Sequence, residues 1–332
     1  MNIAVRNAAG EAVSLSATPL AQGGEAAVHT VCQYPNVVVK LYHPQVLQKR
    51  AGVLREKIEA MTREPKLERL KQHTGLSWPR FSVFDDQGQW RGYAMRKAEG
   101  VRMNMLAHAM AYREHFPQLD RQTLVAYLLD LLYTLRELHA AGICVGDYNL
   151  ANFLCQPGSQ AVTLIDCDSW QVRAAGKTFS CAVAAPDMLA PELMGKQLES
   201  VPRTLESEQF SLAILIFKAL MLGRHPYDVV DGADPVENIR NGWFPYGYGG
   251  GGIPKGAWFN IWSHLPYMLK EKFVQTFRAG CKNPKQRSTV AQWIDALEVY
   301  QREMGRQWHV TDIKPSQPKT KNYRGSDCVS AA

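Results

Sequence analysis

Hydrophobic spacing changes character once along this 332-residue chain, near residue 100, and that break limits the folds open to it. Before the break, apolar and β-branched residues fall in short runs bounded by turn residues, the mark of strands. Val13 and Leu15 open the pattern, a glycine turn follows at Gln22-Gly23-Gly24-Glu25, and two runs cover residues 27–32 and 36–42 around Tyr34-Pro35. Residues 45–62 then place Val46, Leu54, Ile58 and Met61 at helical spacing. Two more strands are expected at 80–84 and 90–95, flanking Asp85-Asp86-Gln87-Gly88. After the break come long helices. Residues 122–140 carry Leu124, Leu128, Leu131, Leu132, Leu135 and Leu138 on one face, and residues 206–222 are apolar nearly all round, as in a buried helix. Residues 270–279 and 290–306 are amphipathic, and 226–266 is irregular, with four glycines at 249–252. From Lys314 the chain is rich in Lys, Pro and Ser, so 307–332 is expected to be a mobile tail. The expected class is α+β, with a small antiparallel sheet and one helix ahead of a larger helical part, and a seam near 96–101.

Charge narrows the function classes. The chain has 38 Lys+Arg against 31 Asp+Glu, a net charge of +7. Residues 40–102 alone hold fourteen basic and seven acidic side chains, so the excess is local. Lys49, Arg50, Arg55, Lys57, Arg63, Lys66, Arg69 and Lys71 fall on or just after the first helix. A basic stretch invites a nucleic-acid reading, but a solvated helix face or docking of an acidic protein explains it more simply. Seven cysteines, an odd number with no C-x-x-C pair, argue against a disulfide framework and a zinc ribbon. No basic-then-apolar leader opens the sequence, and the most apolar window, 210–222, is short and contains Lys218. A cytoplasmic protein with no membrane segment is expected.

Four segments, in order, point to phosphoryl transfer. In Ala21-Gln22-Gly23-Gly24-Glu25-Ala26-Ala27-Val28, small residues between strands let backbone N–H groups approach a triphosphate, and the trailing valine suits an adenine face. Lys40 ends Val38-Val39-Lys40, its stem in an apolar run, where it needs an anionic partner. Asp147 and Asn152 stand five apart after the leucine-rich helix, a spacing that lets a carboxylate face a hydroxyl while an amide faces a metal ion. Leu164-Ile165-Asp166-Cys167-Asp168 then delivers carboxylates, hard ligands suited to Mg²⁺, from the end of a strand.

With these segments the chain resembles a bacterial eukaryotic-like (Hanks-type) Ser/Thr protein kinase, over about residues 15–300. Later segments without catalytic chemistry extend the resemblance. Ala185-Pro186-Asp187-Met188-Leu189-Ala190-Pro191-Glu192-Leu193 is similar to T-P-E-Y-M-A-P-E-L. Glu208-Gln209-Phe210-Ser211-Leu212, running on to Leu222-Gly223-Arg224-His225-Pro226-Tyr227, resembles D-V-W-S-L followed by T-G-R-x-P-F. Asn283-Pro284-Lys285-Gln286-Arg287 resembles D-P-x-x-R and implies an Arg287–Glu192 ion pair. The resemblance implies a bilobal kinase domain over 1–300, with an N-lobe at about 10–97 and a C-lobe at about 98–306. It implies ATP with Mg²⁺ or Mn²⁺ as cofactors and a protein substrate. Lys40 would bind the α/β-phosphates, paired with a helix glutamate, Glu56 in preference to Glu59. Gln22, Gly23 and Gly24 would cover the phosphates. Val28, the gatekeeper Met95, and the hinge Arg96, Lys97 and Ala98 would surround adenine. Asp147 would be the catalytic base, Asn152 and Asp166 would hold the metal, and Asp168 would be a second ligand or a loop anchor.

The departures are specific. Val145-Gly146-Asp147 stands for H-R-D, Asn149 for a lysine, Asp166-Cys167-Asp168 for D-F-G, and Ala21 and Ala26 for the outer glycines. The G-D-x-N-x-x-N loop with D-x-D-S-W-Q resembles compact kinases of tellurite-resistance loci, which implies a PP2C-type phosphatase and a von Willebrand A-domain protein as partners. The expected function is transfer of the ATP γ-phosphoryl group to a protein hydroxyl, Ser/Thr in type. The alternative is a pseudokinase scaffold that binds nucleotide or a partner without catalysis.

Overall fold

The computed structural model describes residues 3–247, 252–254 and 256–319. The chain divides into two compact units, one of residues 1–99, 141–143 and 163–179 and one of residues 100–140, 144–162 and 180–332. Together they give the expected α+β content.

The first unit is built on seven strands: β1 (Ile3–Asn7), β2 (Ala12–Leu15), β3 (Ala21–Gln22), β4 (Ala26–Val31), β5 (Tyr34–Tyr42), β6 (Pro79–Phe84) and β7 (Trp90–Arg96). They run antiparallel in the order β2-β1-β6-β7-β5-β4-β3. A Leu15–Val31 pairing joins β2 to β4, so six strands close into a barrel with β3 outside the ring. The sequence reading expected a small sheet starting after residue 10. β1 escaped it because only Ile3 and Val5 carry its apolar alternation. Closure depends on a pairing between strands distant in order, which no local pattern reports. The interior is a cluster of Val5, Val13, Leu15, Val31, Val39, Val83 and Ala94, with every ring strand contributing. Each large aliphatic side chain buried there stabilises the unit by about 1.5–3 kcal/mol. Because strand side chains alternate, sending Val39 and Leu41 inward turns Val38, Lys40 and Tyr42 to the opposite face of β5.

Helix α1 (Pro44–Arg63) starts at a proline whose missing N–H costs nothing there. It buries Leu54, Lys57, Ile58 and Met61 on one stripe. Its basic surface is largely neutralised. Arg50 meets Glu25 at 2.9 Å, Arg55 and Arg63 meet Glu59 at 2.7 and 3.5 Å, and Lys71 beyond the helix meets Glu68 at 2.6 Å. Lys57, read from sequence as part of the solvated face, is buried and donates to the Trp170 carbonyl. Residues 163–179 attach through Leu164, which donates to Gly75 O at 2.8 Å and accepts from Ser77 N at 2.9 Å. A 3-10 turn at Cys167–Ser169 and the hairpin Val172–Ala174 with Lys177–Phe179 follow.

The second unit is mainly helical. Helix Arg121–Ala140 buries all six predicted leucines. Leu205–Leu220 is buried nearly all round and starts from a capping box of Thr204 and Ser207. Val290–Gly305 starts from a second box of Thr289 and Gln292. The reading of 307–332 as a mobile tail is corrected as far as residue 319. Arg121, 1% exposed, donates to Ile313 O and Leu220 O, each at 2.8 Å. Asn260 donates to Pro315 O at 3.2 Å, and the Lys319 N–H reaches Ser263 Oγ at 2.8 Å. Two apolar residues, Ile313 and Pro315, and one buried guanidinium hold a segment whose composition reads as solvated. Residues 320–332, and 249–251 of the glycine run, lie outside the described residues. Among the described residues no helix is long and apolar enough to cross a membrane.

Candidate functional site

In the first unit, Lys40 stands in register between Val28 of β4 and Tyr93 of β7, so the three share one face of the sheet. Its Nζ lies 3.1 Å from Asp166 Oδ1 and 2.8 and 2.9 Å from the two oxygens of Asp168. Burial works to lower the lysine pKa, but the charges of Asp168 and then Asp166 outweigh it, and Lys40 is held above its ordinary range. Burial works to raise the Asp168 pKa; the Lys40 ammonium and the hydroxyls of Tyr42 and Tyr93 hold it below the usual carboxylate range instead. Burial and then the Asp168 charge push both phenols well up, so they stay protonated as donors.

Asp166 has a left-handed backbone, φ 57° and ψ 36°, which costs a non-glycine residue about 1 kcal/mol or more. Ser169 secures it, its N–H at 3.0 Å and its hydroxyl at 2.8 Å from the Asp166 carbonyl. The Asp166 side chain is 43% exposed, and one oxygen stands on Lys40. The pairing of Lys40 with Glu56 is corrected. Glu56 sits beside the buried stripe of α1 rather than on it, and both its oxygens accept from Lys177 at 2.8 Å. Glu59 is held by Arg55 and Arg63.

The turn at residues 22–25 is exposed, and Gly23 N–H closes it on Ala26 O at 2.9 Å. A Cβ added at Gly23 would meet only Ala26 O, at 3.9 Å, and one at Gly24 would meet nothing. Neither glycine is there because the turn needs it. Met95 is buried opposite Val38. The Arg96 carbonyl accepts from Ser77 Oγ at 3.0 Å and the Lys97 N–H donates to Asn36 O at 2.9 Å, and neither bond uses the backbone of Ala98.

In the second unit, Asp147 and Asn152 come together, with the Asn152 amide turned to the carboxylate. The Asn152 amide donates to Asp147 Oδ2 at 3.0 Å, while Asp147 Oδ1 is buried without a hydrogen-bond partner. A buried acceptor with nothing on it costs about 1–3 kcal/mol, the usual mark of a group reserved for a ligand or proton. The loop is held by Glu208, itself 1% exposed on helix Leu205–Leu220. Glu208 accepts from Val145 N at 2.8 Å, Gly146 N at 2.9 Å and Tyr148 OH at 2.9 Å. Gly146 has φ 71°, and a Cβ there would stand 2.6 Å from Cys181 Sγ and 3.1 Å from Arg203 Nε, so an arginine at this place is excluded sterically. Asn149 caps the next turn, accepting from Ala151 N at 3.0 Å. The expected Arg287–Glu192 pair forms with two bonds of 2.7 Å.

Sequence reasoning missed Tyr42, Tyr93 and Glu208 as parts of these clusters. Glu208 had a signal, since it stands at the first place of the segment similar to D-V-W-S-L. The tyrosines had none beyond the alternation of Tyr42 with Lys40 along β5. Within the first unit Asp166 exposes a carboxylate, a hard donor of the kind divalent cations take. Within the second, Asn152 turns its amide nitrogen to Asp147, and Asp147 keeps one oxygen without a partner.

No family model matches the chain. It is similar to Protein kinase YegI of Escherichia coli strain K12, at 28% identity over 318 residues, covering 91% of this chain and 47% of that protein. It is likewise similar to Protein kinase YegI of Escherichia coli O157:H7, at 27% identity over 300 residues, covering 86% and 44%. The chain thus spans about half the length of the curated relatives it matches. These similarities support a bacterial protein kinase at family level.

Proposed function

We propose that the chain is an active protein kinase that transfers the γ-phosphoryl group of ATP to a protein hydroxyl, Ser/Thr in type. The observation that carries the reading is Asp147. One oxygen is fixed by Asn152, the other is buried without a partner, and the backbone around it is anchored on Glu208. That suits a carboxylate meant to accept a hydrogen bond from a substrate hydroxyl and to orient its attack. Lys40, protonated and held by carboxylates, would donate to the α/β-phosphates. Gln22, Gly23 and Gly24 would approach the phosphates through their backbone, which explains glycines that the turn does not require. Val28 and Met95 offer apolar contact to adenine, and the backbone of Arg96 and Ala98 offers polar contact. Asn152 and Asp166 would hold Mg²⁺ or Mn²⁺. When bound, the cation neutralises phosphate charge and steadies the chain of phosphates. The PP2C-type phosphatase and the von Willebrand A-domain protein implied by the sequence resemblance remain the partners to test, by co-purification.

The experiment is transfer of label from radiolabelled ATP with Mg²⁺ to the chain itself and to a generic basic protein. Wild type should label, while Asp147→Ala and Asp166→Ala should lose about 10³-fold or more in rate. Equal labelling of all three, or nucleotide binding without any transfer, overturns the enzyme reading and leaves the scaffold.

A further inference from the structure

A lysine on a strand whose side chain is 12% exposed needs a carboxylate that stays put. Helix α1 supplies none to Lys40. Its Glu56 is engaged by Lys177 and its Glu59 by two arginines. Of the two buried residues between them, Ile58 is apolar and Lys57 is a like charge, whose Nζ donates to Trp170 O.

Asp168 supplies the carboxylate, and its surroundings leave no room for another role. Its side chain is 7% exposed. Oδ1 accepts from Lys40 at 2.8 Å and from Tyr93 OH at 2.7 Å; Oδ2 accepts from Lys40 at 2.9 Å and from Tyr42 OH at 2.5 Å. Each oxygen therefore has two donors, the capacity left by an in-plane carboxylate. The donors themselves are rigidly mounted. Tyr42 is two residues from Lys40 on β5, Tyr93 is paired with Lys40 across β7, and the two phenol rings lie 6.4 Å apart.

We propose that Asp168, locked by Tyr42 and Tyr93, is the positioning residue of Lys40, so that the phosphate-binding lysine is oriented by the sheet and the 167–169 turn and not by helix α1. This deepens the kinase reading and rests on it. Two consequences follow. Asp168 is not a metal ligand, because a cation would have to displace an ammonium and two hydroxyls. Displacement of α1 neither makes nor breaks the ion pair of Lys40, so this helix is not a switch for it.

The test has two arms. In the first, the apparent KM for ATP, kcat and the Mg²⁺ midpoint are measured on the full chain. Asp168→Asn should raise the ATP KM tenfold or more with the Mg²⁺ midpoint unmoved, whereas Glu56→Gln and Glu59→Gln should each change the KM less than twofold. A shifted Mg²⁺ midpoint in Asp168→Asn, or a KM rise in Glu56→Gln or Glu59→Gln equal to that of Asp168→Asn, overturns the proposal. Should Asp168→Asn not fold, the double variant Tyr42→Phe with Tyr93→Phe keeps both rings and should raise the KM several-fold; no rise overturns the proposal. The second arm needs no activity. Thermal unfolding of Lys40→Met, Asp168→Asn and the combination should be strongly non-additive, the double variant being no less stable than the worse single one. Additive shifts overturn the proposal, while an inactive wild type with non-additive shifts overturns only the kinase reading.

Discussion

Replacing Glu208 by glutamine changes one atom at the anchor of the Asp147 loop. In the protein, Oε2 takes Val145 N–H and Tyr148 OH, and Oε1 takes Gly146 N–H. A glutamine does best by keeping its oxygen toward Val145 and Tyr148, where two donors converge. Its NH₂ then faces the Gly146 N–H, donor against donor. One charge-assisted bond is lost, the Gly146 N–H is buried unsatisfied, and the two remaining bonds weaken to neutral ones. The expected loss is about 2–4 kcal/mol of unfolding free energy. Tyr148→Phe removes one bond and should cost about 1–1.5 kcal/mol. Urea unfolding measures both, and turnover reports the loop. Asp147 lies one residue from the lost contact, so kcat should fall about 10–100-fold in Glu208→Gln while the ATP KM holds. If Glu208→Gln unfolds within about 0.5 kcal/mol of wild type and turns over normally, Glu208 does not anchor the loop.

Other substitutions probe other joints. Gly146→Ala forces a Cβ into Cys181 Sγ at a positive φ, and should cost about 2–3 kcal/mol by urea unfolding; wild-type stability would refute the steric account. Arg287→Lys keeps the charge but loses the two-pronged bond to Glu192 and the further bonds to Gly280 O and Glu206 O, a loss of about 2–4 kcal/mol, read as a lower urea midpoint. His225 sets a pH dependence. Burial lowers its pKa from 6.5 to about 4, with Nδ1 accepting from Tyr227 N–H and Nε2 on Asp187 O. The unfolded chain therefore binds the extra proton between those values, and stability, full above pH 6.5, should fall toward pH 4 by up to about 3 kcal/mol. Unfolding midpoints of wild type and His225→Gln across pH 4–7.5 check this, the variant showing the shallower slope.

The texture break near residue 100 was legible because strand and helix periods differ, and helix Arg121–Ala140 buries the leucines that mark it. Asp147 and Asn152 were legible because five residues of one loop bring them together. What escaped involves distant pairing. Barrel closure rests on Leu15 meeting Val31, and the partner of Lys40 lies 128 residues away on a turn, not on the helix nearest in sequence. The helix glutamate was misread because a carboxylate at the right distance along the chain says nothing about which stripe of α1 it occupies. The ordering of 307–319 was missed because composition weighs residues singly, whereas one arginine, Arg121, secures the carbonyl of Ile313.

The closed ring of β1, β2, β4, β5, β6 and β7 also decides how other molecules can approach the first unit. An open sheet offers unpaired N–H and C=O groups along its outer strands, and many peptides bind by adding a strand there. Here each ring strand pairs with two others, although β1 meets β6 only at Arg6–Phe84 and Asn7–Val83, and the strand outside the ring, β3, is two residues long. A peptide laid along β3 would gain about two backbone hydrogen bonds, too few to hold it. Strand addition at β3 therefore gives a partner or regulator of this unit little, and recognition there has to come from side chains.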